Sequence, residues 1–243
     1  MADWFSEFKD TFYVVFIEES RWKYIVNGIG FTLRITLAAL VLGIVIGILV
    51  AIVRSTHEKN GRFMKKGFGT FVFRVINWLC GVYLTVIRGT PVVLQLLIMN
   101  FVIFTSRNSD VVLVASLTFG INSGAYVAEI FRGGIMSVDS GQFEAGRSLG
   151  FGYIGTMLYI IIPQALKNAV PALGNEFIVL LKETSVSGYI GTMDLAKGAD
   201  VIRGRTFVAF LPLFGAAVVY LSLVMLLTKL VSIVERRLRN SER

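Results

Sequence analysis

Reactive and metal-binding side chains are scarce in this sequence. Among its 243 residues there is one cysteine, Cys80, and one histidine, His57. A single cysteine cannot form a disulfide within the chain, and one cysteine with one histidine does not make a metal site. No nucleophile–base pattern and no G-x-x-x-x-G-K-[ST] phosphate loop can be recognised. We therefore expect no catalysis, no metal and no cofactor bound by this chain.

Charged side chains are also few. They make up 16% of the residues, whereas 55% are hydrophobic, and a water-soluble domain of this size needs far more polar surface. The apolar residues are gathered into blocks of about 20 residues, the length that crosses a bilayer core of about 30 Å. The sequence therefore predicts an all-α integral membrane protein.

The net charge of +8 does not indicate a nucleic-acid partner. The basic residues lie in the loops and tails that flank the apolar blocks, as orientation signals do in membrane proteins. We predict five spans in a multi-pass domain over 28–239. Their approximate ranges are 29–53, 82–105, 111–131, 154–181 and 207–233.

The apolar block 68–105 is too long for one simple crossing. If it crosses once, the basic loop 54–66 and the basic tail 236–239 lie on the same side, which the positive-inside rule makes cytoplasmic. We therefore predict that Phe68 to Gly81 is partly interfacial and that the span begins at Val82. The N-terminus is then outside and the C-terminus cytoplasmic.

The N-terminal segment 1–27 has the spacing of an amphipathic helix that lies on a membrane surface. Its apolar positions are Trp4, Phe5, Phe8, Phe12, Val15 and Phe16. A poorly ordered leader is the alternative interpretation.

The polar stretch after the third span carries a recognisable signature. Glu144-Ala145-Gly146 is followed by Gly150 and then by Ile160, Ile162 and Pro163. This pattern resembles the E-A-A, three residues, G, nine residues, I, any residue, L-P signature of ABC importer permeases. Gly146 stands for the third alanine and Ile162 for leucine.

In such permeases this segment is a cytoplasmic coupling helix, here within the loop 136–153, which contacts a separate ATPase. Small residues let a short helix fit into a groove of its partner, and glycines can end it. The residues that we assign to coupling are Glu144, Ala145, Gly146, Arg147 and Gly150. An ordinary linker helix is the alternative from spacing alone.

Three further segments resemble the polar amino acid branch of these permeases, which serves histidine, arginine, lysine, glutamine and glutamate. They are Arg88–Pro91 with Gln95, Asn122–Ile130, and Pro171–Thr184. The resemblance implies a type I ABC importer permease fold of five helices in the bacterial plasma (inner) membrane. It also implies a second permease subunit (identical or related), two ATPase subunits that bind ATP-Mg, and an extracytoplasmic amino-acid-binding protein. Transport would occur by alternating access.

Polar residues inside a membrane are costly and are therefore candidates for the substrate pathway. An amino acid needs donors for its carboxylate and acceptors for its ammonium group. The candidates are Asn122, Ser123, Glu176, Lys182, Glu183, Thr184 and Ser185. Hydrogen bonding between helices is the alternative role for such groups. Glu129 has a simpler interpretation, an ion pair with Arg132.

Gly89 and Pro91 predict a break in the second span, because proline lacks the backbone donor and disfavours helical geometry in the residue before it. The break can permit helix movement or can be a static packing feature. Glu176 and Glu183 favour a cationic or amide substrate. The competing hypotheses are a membrane-embedded enzyme, which leaves the Glu144–Pro163 signature unexplained, and a secondary transporter without an ATPase. Five spans without an evident inverted repeat argue against the secondary transporter, although a homodimer is compatible with it.

Overall fold

The computed structural model describes residues 2–60, 67–106 and 108–240, and over these ranges the chain is almost entirely helical. The helices are α1 Ala2–Phe12, α2 Trp22–Asn60, α3 Phe68–Gly89, α4 Val92–Ile98, α5 Val111–Met136, α6 Ser140–Ser148, α7 Tyr153–Thr156, α8 Ile162–Glu183, α9 Leu195–Thr206 and α10 Phe210–Asn240. Short π-helical turns continue α1 and α4 and join α7 to α8, and a 3₁₀ turn follows α8. Arg62, Lys65 and Lys66 of the predicted basic loop, and the side chains of Trp4, Phe5 and Arg239, lie outside the described residues.

Helix α5 is the centre of the bundle. In the most apolar 18-residue stretch of α5, 67% of the residues are buried within the chain, whereas only 11% are buried in the corresponding stretches of α3 and α10. Its main neighbour is α2, and glycines let the two backbones approach closely. A Cβ on Gly47 would lie 2.4 Å from Val127, and one on Gly124 would lie 2.9 Å from Ile46. Small residues at these positions are what allow two membrane helices to pack at short range.

The contacts along the bundle give the direction of each helix. Gly43 and Gly47 of α2 lie against Ser123 and Val127 of α5, so α2 and α5 run parallel. Arg54 bonds Asn77 while His57 stacks on Phe73, so α3 runs the opposite way.

Helix α8 runs antiparallel to α5. Gly134 meets Ala165 near the end of α5, while Ser123 bonds Glu176 farther back. The bundle thus has two ends. We call them the α9 end, where Gly28 of α2 contacts Leu195, and the α6 end, where Lys59 of α2 lies over the ring of Phe143.

Four helical segments in the described ranges are long and apolar enough to cross a membrane. They are Trp22–Lys59, Phe68–Gly89, Val111–Met136 and Phe210–Leu238. The predicted spans 29–53, 111–131 and 207–233 overlap three of them. The predicted span 154–181 corresponds to α7 and α8, which a π-helical turn at Met157–Ile161 separates.

The break predicted in the second span at Gly89 and Pro91 is confirmed. Helix α3 runs without interruption from Phe68 to Gly89, so nothing divides an interfacial segment from a span at Gly81. The interruption lies at Thr90 and Pro91, whose backbones are extended. Proline decides this position, because it cannot donate the helical hydrogen bond and it excludes helical geometry from Thr90.

Candidate functional site

The hydroxyl of Ser123 on α5 and the carboxylate of Glu176 on α8 form the most direct polar contact between predicted pathway residues. The Ser123 Oγ atom donates to Glu176 Oε1 across 2.7 Å, and Ser123 is almost fully buried. A bond from a hydroxyl to a charged carboxylate is among the stronger hydrogen bonds in a protein. It joins the two helices at mid-length and holds an acceptor-rich group inside the bundle.

Asn122 lies beside Ser123 and is 3% exposed. Its Nδ2 atom donates to Oε1 of Gln95 on α4 at 3.0 Å. Adjacent residues of α5 therefore form two separate polar pairs, Asn122 with Gln95 on α4 and Ser123 with Glu176 on α8. Gln95 was part of the quoted sequence pattern but was not predicted as a site residue.

The other predicted pathway residues do not contact these two polar pairs. Glu183 follows Glu176 by two helical turns, about 10.5 Å along one face of α8, and Lys182 is exposed. The Thr184 hydroxyl is buried and donates to the Leu181 carbonyl of its own chain at 2.8 Å. Ser185 instead lines a separate cavity of about 280 Å³ at the α9 end, together with Tyr189 and Asp200.

Charged side chains from three helices meet toward the α6 end. Glu129 pairs with Arg132 at 3.0 Å, which confirms the predicted i, i+3 pair. The same carboxylate lies 3.7 Å from Arg88 at the end of α3, and Arg132 also lies 3.6 Å from Glu58 of α2. Sequence reasoning missed the parts played by Arg88 and Glu58, because their partners are distant in the chain.

A cavity of about 580 Å³ opens beside this group of charges. Glu129, Lys167, Asn168, Pro171 and Glu235 are among its lining residues, so it carries charges of both signs. The amide of Asn168 donates to the Ser137 hydroxyl at 2.9 Å. This hydrogen bond joins α8 to the residue that follows α5.

The segment with the permease signature forms α6. Asp139 begins the helix by accepting a hydrogen bond from the Gly141 backbone at 2.7 Å, so Gly141 is not the terminus. Gly150 follows the helix with φ +85°, a conformation that glycine adopts at little cost.

The exposed and buried faces of α6 are distinct. Glu144, Ala145 and Arg147 are exposed, as contact with a partner requires. Gly146 is buried, and a Cβ there would lie 2.7 Å from Thr156 and 2.8 Å from Ile160. Gly146 therefore packs against its own chain and keeps α6 close to the bundle.

A bundle of long apolar helices with an exposed α6 that carries the permease signature is the arrangement expected of the membrane subunit of an importer. The chain belongs to the family described as binding-protein-dependent transport system inner membrane components, whose model matches residues 63–240. The chain is thus a permease subunit rather than an enzyme, and ATP hydrolysis in such systems resides in a separate subunit.

Curated relatives match almost the whole chain. The glutamine transport system permease protein GlnP of Escherichia coli is 35% identical over 88% of this chain and 93% of its own length. The arginine transport system permease protein ArtQ of Bacillus subtilis is 34% identical over 90% of this chain and 94% of its own. These matches confirm the predicted family resemblance.

Solved structures agree with this assignment. A crystal structure of an amino acid ABC transporter with histidines contains a chain that is 37% identical. It superposes with a TM-score of 0.78 over 91% of this chain and 98% of that one. The MetNI methionine ABC transporter is 17% identical with a TM-score of 0.74, and this likeness shows the fold alone.

Proposed function

We propose that this chain forms part of the membrane pathway of an ATP-driven importer for a polar amino acid with a cationic or amide side chain. The observation that carries the proposal is that adjacent residues of α5 hold two polar pairs inside the bundle, Asn122 with Gln95 and Ser123 with Glu176. Amide and hydroxyl groups serve the substrate carboxylate, and the Glu176 carboxylate serves a cationic group. Relatives that are named as glutamine and arginine permeases support this substrate class.

Helix α6 is the proposed contact with the ATPase, which binds ATP-Mg. Its charged and small residues Glu144, Ala145 and Arg147 are exposed at the end of the bundle where α2 terminates. The buried packing of Gly146 on Thr156 and Ile160 lets a force on α6 reach α7 and the π-helical turn that leads into α8. Rigid attachment is what a coupling element needs, because a loosely held helix would move without moving the bundle.

The assembly is proposed to contain a second permease subunit, two ATPase subunits and an extracytoplasmic binding protein. Most residues in the apolar stretches of α3 and α10 are not covered by other parts of this chain. Such surfaces need lipid or another membrane subunit as a neighbour. The second permease subunit that covers the apolar surfaces of α3 and α10 can be a copy of this chain or a related chain.

We place the α6 end in the cytoplasm and the α9 end outside, in a bacterial plasma membrane crossed five times. The α3 and α4 helices together make one broken crossing, because Asn77 lies beside Arg54 while Leu96 packs with Ile35 nearer the α9 end. The basic residues that follow α2 and end α10 are then cytoplasmic, as the positive-inside rule requires.

The N-terminal segment is proposed to lie on the outer membrane surface. Val15 is fully buried, and Phe16 packs on Gly215 of α10, so the segment is attached to the bundle. Phe8, Phe12 and Tyr13 remain 41–57% exposed. Aromatic side chains beside the end of a spanning helix favour the headgroup region of a bilayer.

The decisive experiment is purification of this chain with its ATPase, followed by reconstitution into liposomes with the binding protein. We expect ATP turnover to rise when glutamine, arginine, lysine or histidine is added, and the same amino acid to accumulate inside. Uptake that is driven by an ion gradient without ATPase would instead support a secondary transporter. A failure of the ATPase to bind this chain would refute the importer proposal.

A further inference from the structure

The break between α3 and α4 leaves a backbone carbonyl without its helical partner. In an uninterrupted helix the N–H of residue 91 would donate to the carbonyl of Ile87, but Pro91 has no N–H. In a membrane, such an unpaired carbonyl is strongly unfavourable. The Gln95 side chain supplies the missing donor, since its Nε2 atom lies 2.8 Å from the Ile87 carbonyl oxygen.

The contacts around Gln95 determine how its amide group is oriented. The Nε2 atom also lies 3.1 Å from the Thr90 carbonyl oxygen and 2.8 Å from Thr90 Oγ1. The Thr90 hydroxyl donates its own hydrogen to the Val86 carbonyl at 2.8 Å, so it can only accept from Gln95. Every neighbour on this side is an acceptor, and the Gln95 nitrogen must face the break.

The remaining atom of the Gln95 amide, its oxygen, then faces α5 and accepts from Asn122 Nδ2 at 3.0 Å. A second contact joins the same helices, because Arg88 lies 3.7 Å from Glu129 and 5.6 Å from the ring centre of Tyr126. Seven residues separate Arg88 from Gln95 and seven separate Asn122 from Glu129. Residues on either side of the break are therefore attached to one face of α5 at two points, two helical turns apart.

We propose that Gln95 is a positioning residue that holds the broken helix α3–α4 to the pathway face of α5, so that the two move as one body during transport. It acts through Asn122 and through the Ile87 carbonyl and does not itself need to contact substrate. The break is then a fixed bend and not a hinge. This inference rests on the proposed function, because it takes the α5 face at Asn122 as part of the pathway.

The first test measures amino acid molecules transported per ATP hydrolysed in the reconstituted importer. Gln95→Met keeps side-chain length but removes the hydrogen bonds to Ile87, Thr90 and Asn122. We expect the ratio to fall about threefold to tenfold, the factor that one hydrogen bond contributes to an equilibrium. The matched control is Thr85→Val on α3, whose hydroxyl bonds the Gly81 carbonyl of its own helix, and its ratio should equal that of the wild type. A purely structural role for Gln95 would lower the yield of folded protein but not this ratio.

A double-mutant cycle tests the link to Asn122. If Gln95 acts through Asn122, the variant Gln95→Met/Asn122→Leu should be no worse than the more severe single variant. Additive losses, or a wild-type ratio in Gln95→Met, would overturn the inference. A wild-type complex that hydrolyses ATP without any uptake would instead refute the proposed function.

Spin labels give a measurement that does not depend on uptake. Cysteines at Ile98 on α4 and Leu113 on α5, both partly exposed, can be labelled after Cys80→Ser. We expect one narrow distance distribution that is the same with and without ATP, and a broader one in Gln95→Met. A distance that changes with ATP in the otherwise native protein would show that α4 moves relative to α5 and would refute the proposal.

Discussion

Ser123 and Glu176 lie 53 positions apart in the chain, yet the Ser123 hydroxyl donates to the Glu176 carboxylate across 2.7 Å. This contact joins the central helix α5 to α8 at the middle of the bundle. A carboxylate placed there needs a donor, because the surroundings solvate charge poorly. The bond therefore orients the acceptor that we assign to a cationic substrate group.

Removing the Ser123 hydroxyl should weaken substrate binding in the membrane pathway. For Ser123→Ala we expect the apparent KM for uptake of a cationic amino acid to rise about threefold to tenfold, the contribution of one hydrogen bond. The control is Ser116→Ala on the same helix, whose hydroxyl bonds its own backbone at Val112, and its KM should not change. An unchanged KM in Ser123→Ala would contradict a pathway role for this pair.

Close packing of α2 on α5 predicts a stability difference between two glycines of α2. A Cβ at Gly47 would lie 2.4 Å from Val127, whereas nothing lies within 4 Å of one at Gly30. Gly47→Ala should lower the free energy of unfolding by about 1–3 kcal/mol through overpacking. Gly30→Ala should leave it equal or raise it by up to about 1 kcal/mol. Thermal unfolding in detergent measures both, and equal melting temperatures would contradict the observed packing.

Gly146 stands where the permease signature has alanine, and its neighbours explain the difference. For Gly146→Ala we expect displacement of α6 and loss of amino-acid-stimulated ATP turnover, because the added methyl would contact Thr156. Thr156→Ser removes the methyl group nearest to the new Cβ, so the double variant should recover part of the activity. Full activity in the single variant would show that α6 has room to shift.

The stability of the α9 end should depend on pH through Asp194. This carboxyl is fully buried and accepts from the Ala196 backbone at 3.0 Å. Burial raises its pKa from an ordinary 3.8 to about 6, although the Ala196 and Lys197 backbone groups and the Lys197 charge oppose the shift. The folded protein then binds a proton more readily than the unfolded chain, so the free energy of unfolding rises as pH falls from about 6 to about 4.

Asp194→Asn keeps the helix cap and removes the titration. As pH rises from 4 to 7, the free energy of unfolding of this variant should increase by about 1–3 kcal/mol relative to that of the wild type. For Asp200→Asn the free energy of unfolding relative to the wild type should change in the opposite direction and fall as pH rises. Hydrogen bonds from Arg203 and Lys197 lower the pKa of Asp200, so its contribution is present at neutral pH and is lost in acid. Melting curves across this range test both, and a pH-independent difference for Asp194→Asn would contradict the assignment.

Reversing the charge of Glu144 should separate ATP hydrolysis from transport. The residue is exposed on α6, so Glu144→Lys should insert and fold normally but bind the ATPase poorly and lose uptake. Glu7→Lys makes the same charge change on α1, near the other end of the bundle, and should transport normally. Normal uptake by Glu144→Lys would show that α6 is not the coupling contact.

The sequence predicted most of the architecture because the relevant forces act locally. Blocks of apolar residues set helix length against a bilayer, and Pro91 removes the backbone donor that would continue α3. The break at Gly89 and Pro91 was predicted from backbone chemistry, whereas the division of the block 68–105 at Gly81 relied on loop charge. Loop charge reports on orientation, whereas the backbone chemistry of residue 91 sets the end of α3.

Membrane character, family and the exposed signature helix were determined by the sequence alone, because composition and short-range spacing carry them. Only the tertiary structure decided which polar groups meet. Ser123 with Glu176, Gln95 with Asn122 and Arg88 with Glu129 are each pairs from different helices. Their approach depends on how glycines let α2, α5 and α8 pack and on where α3 breaks. Those distances are properties of the packed bundle, and local residue spacing does not encode them.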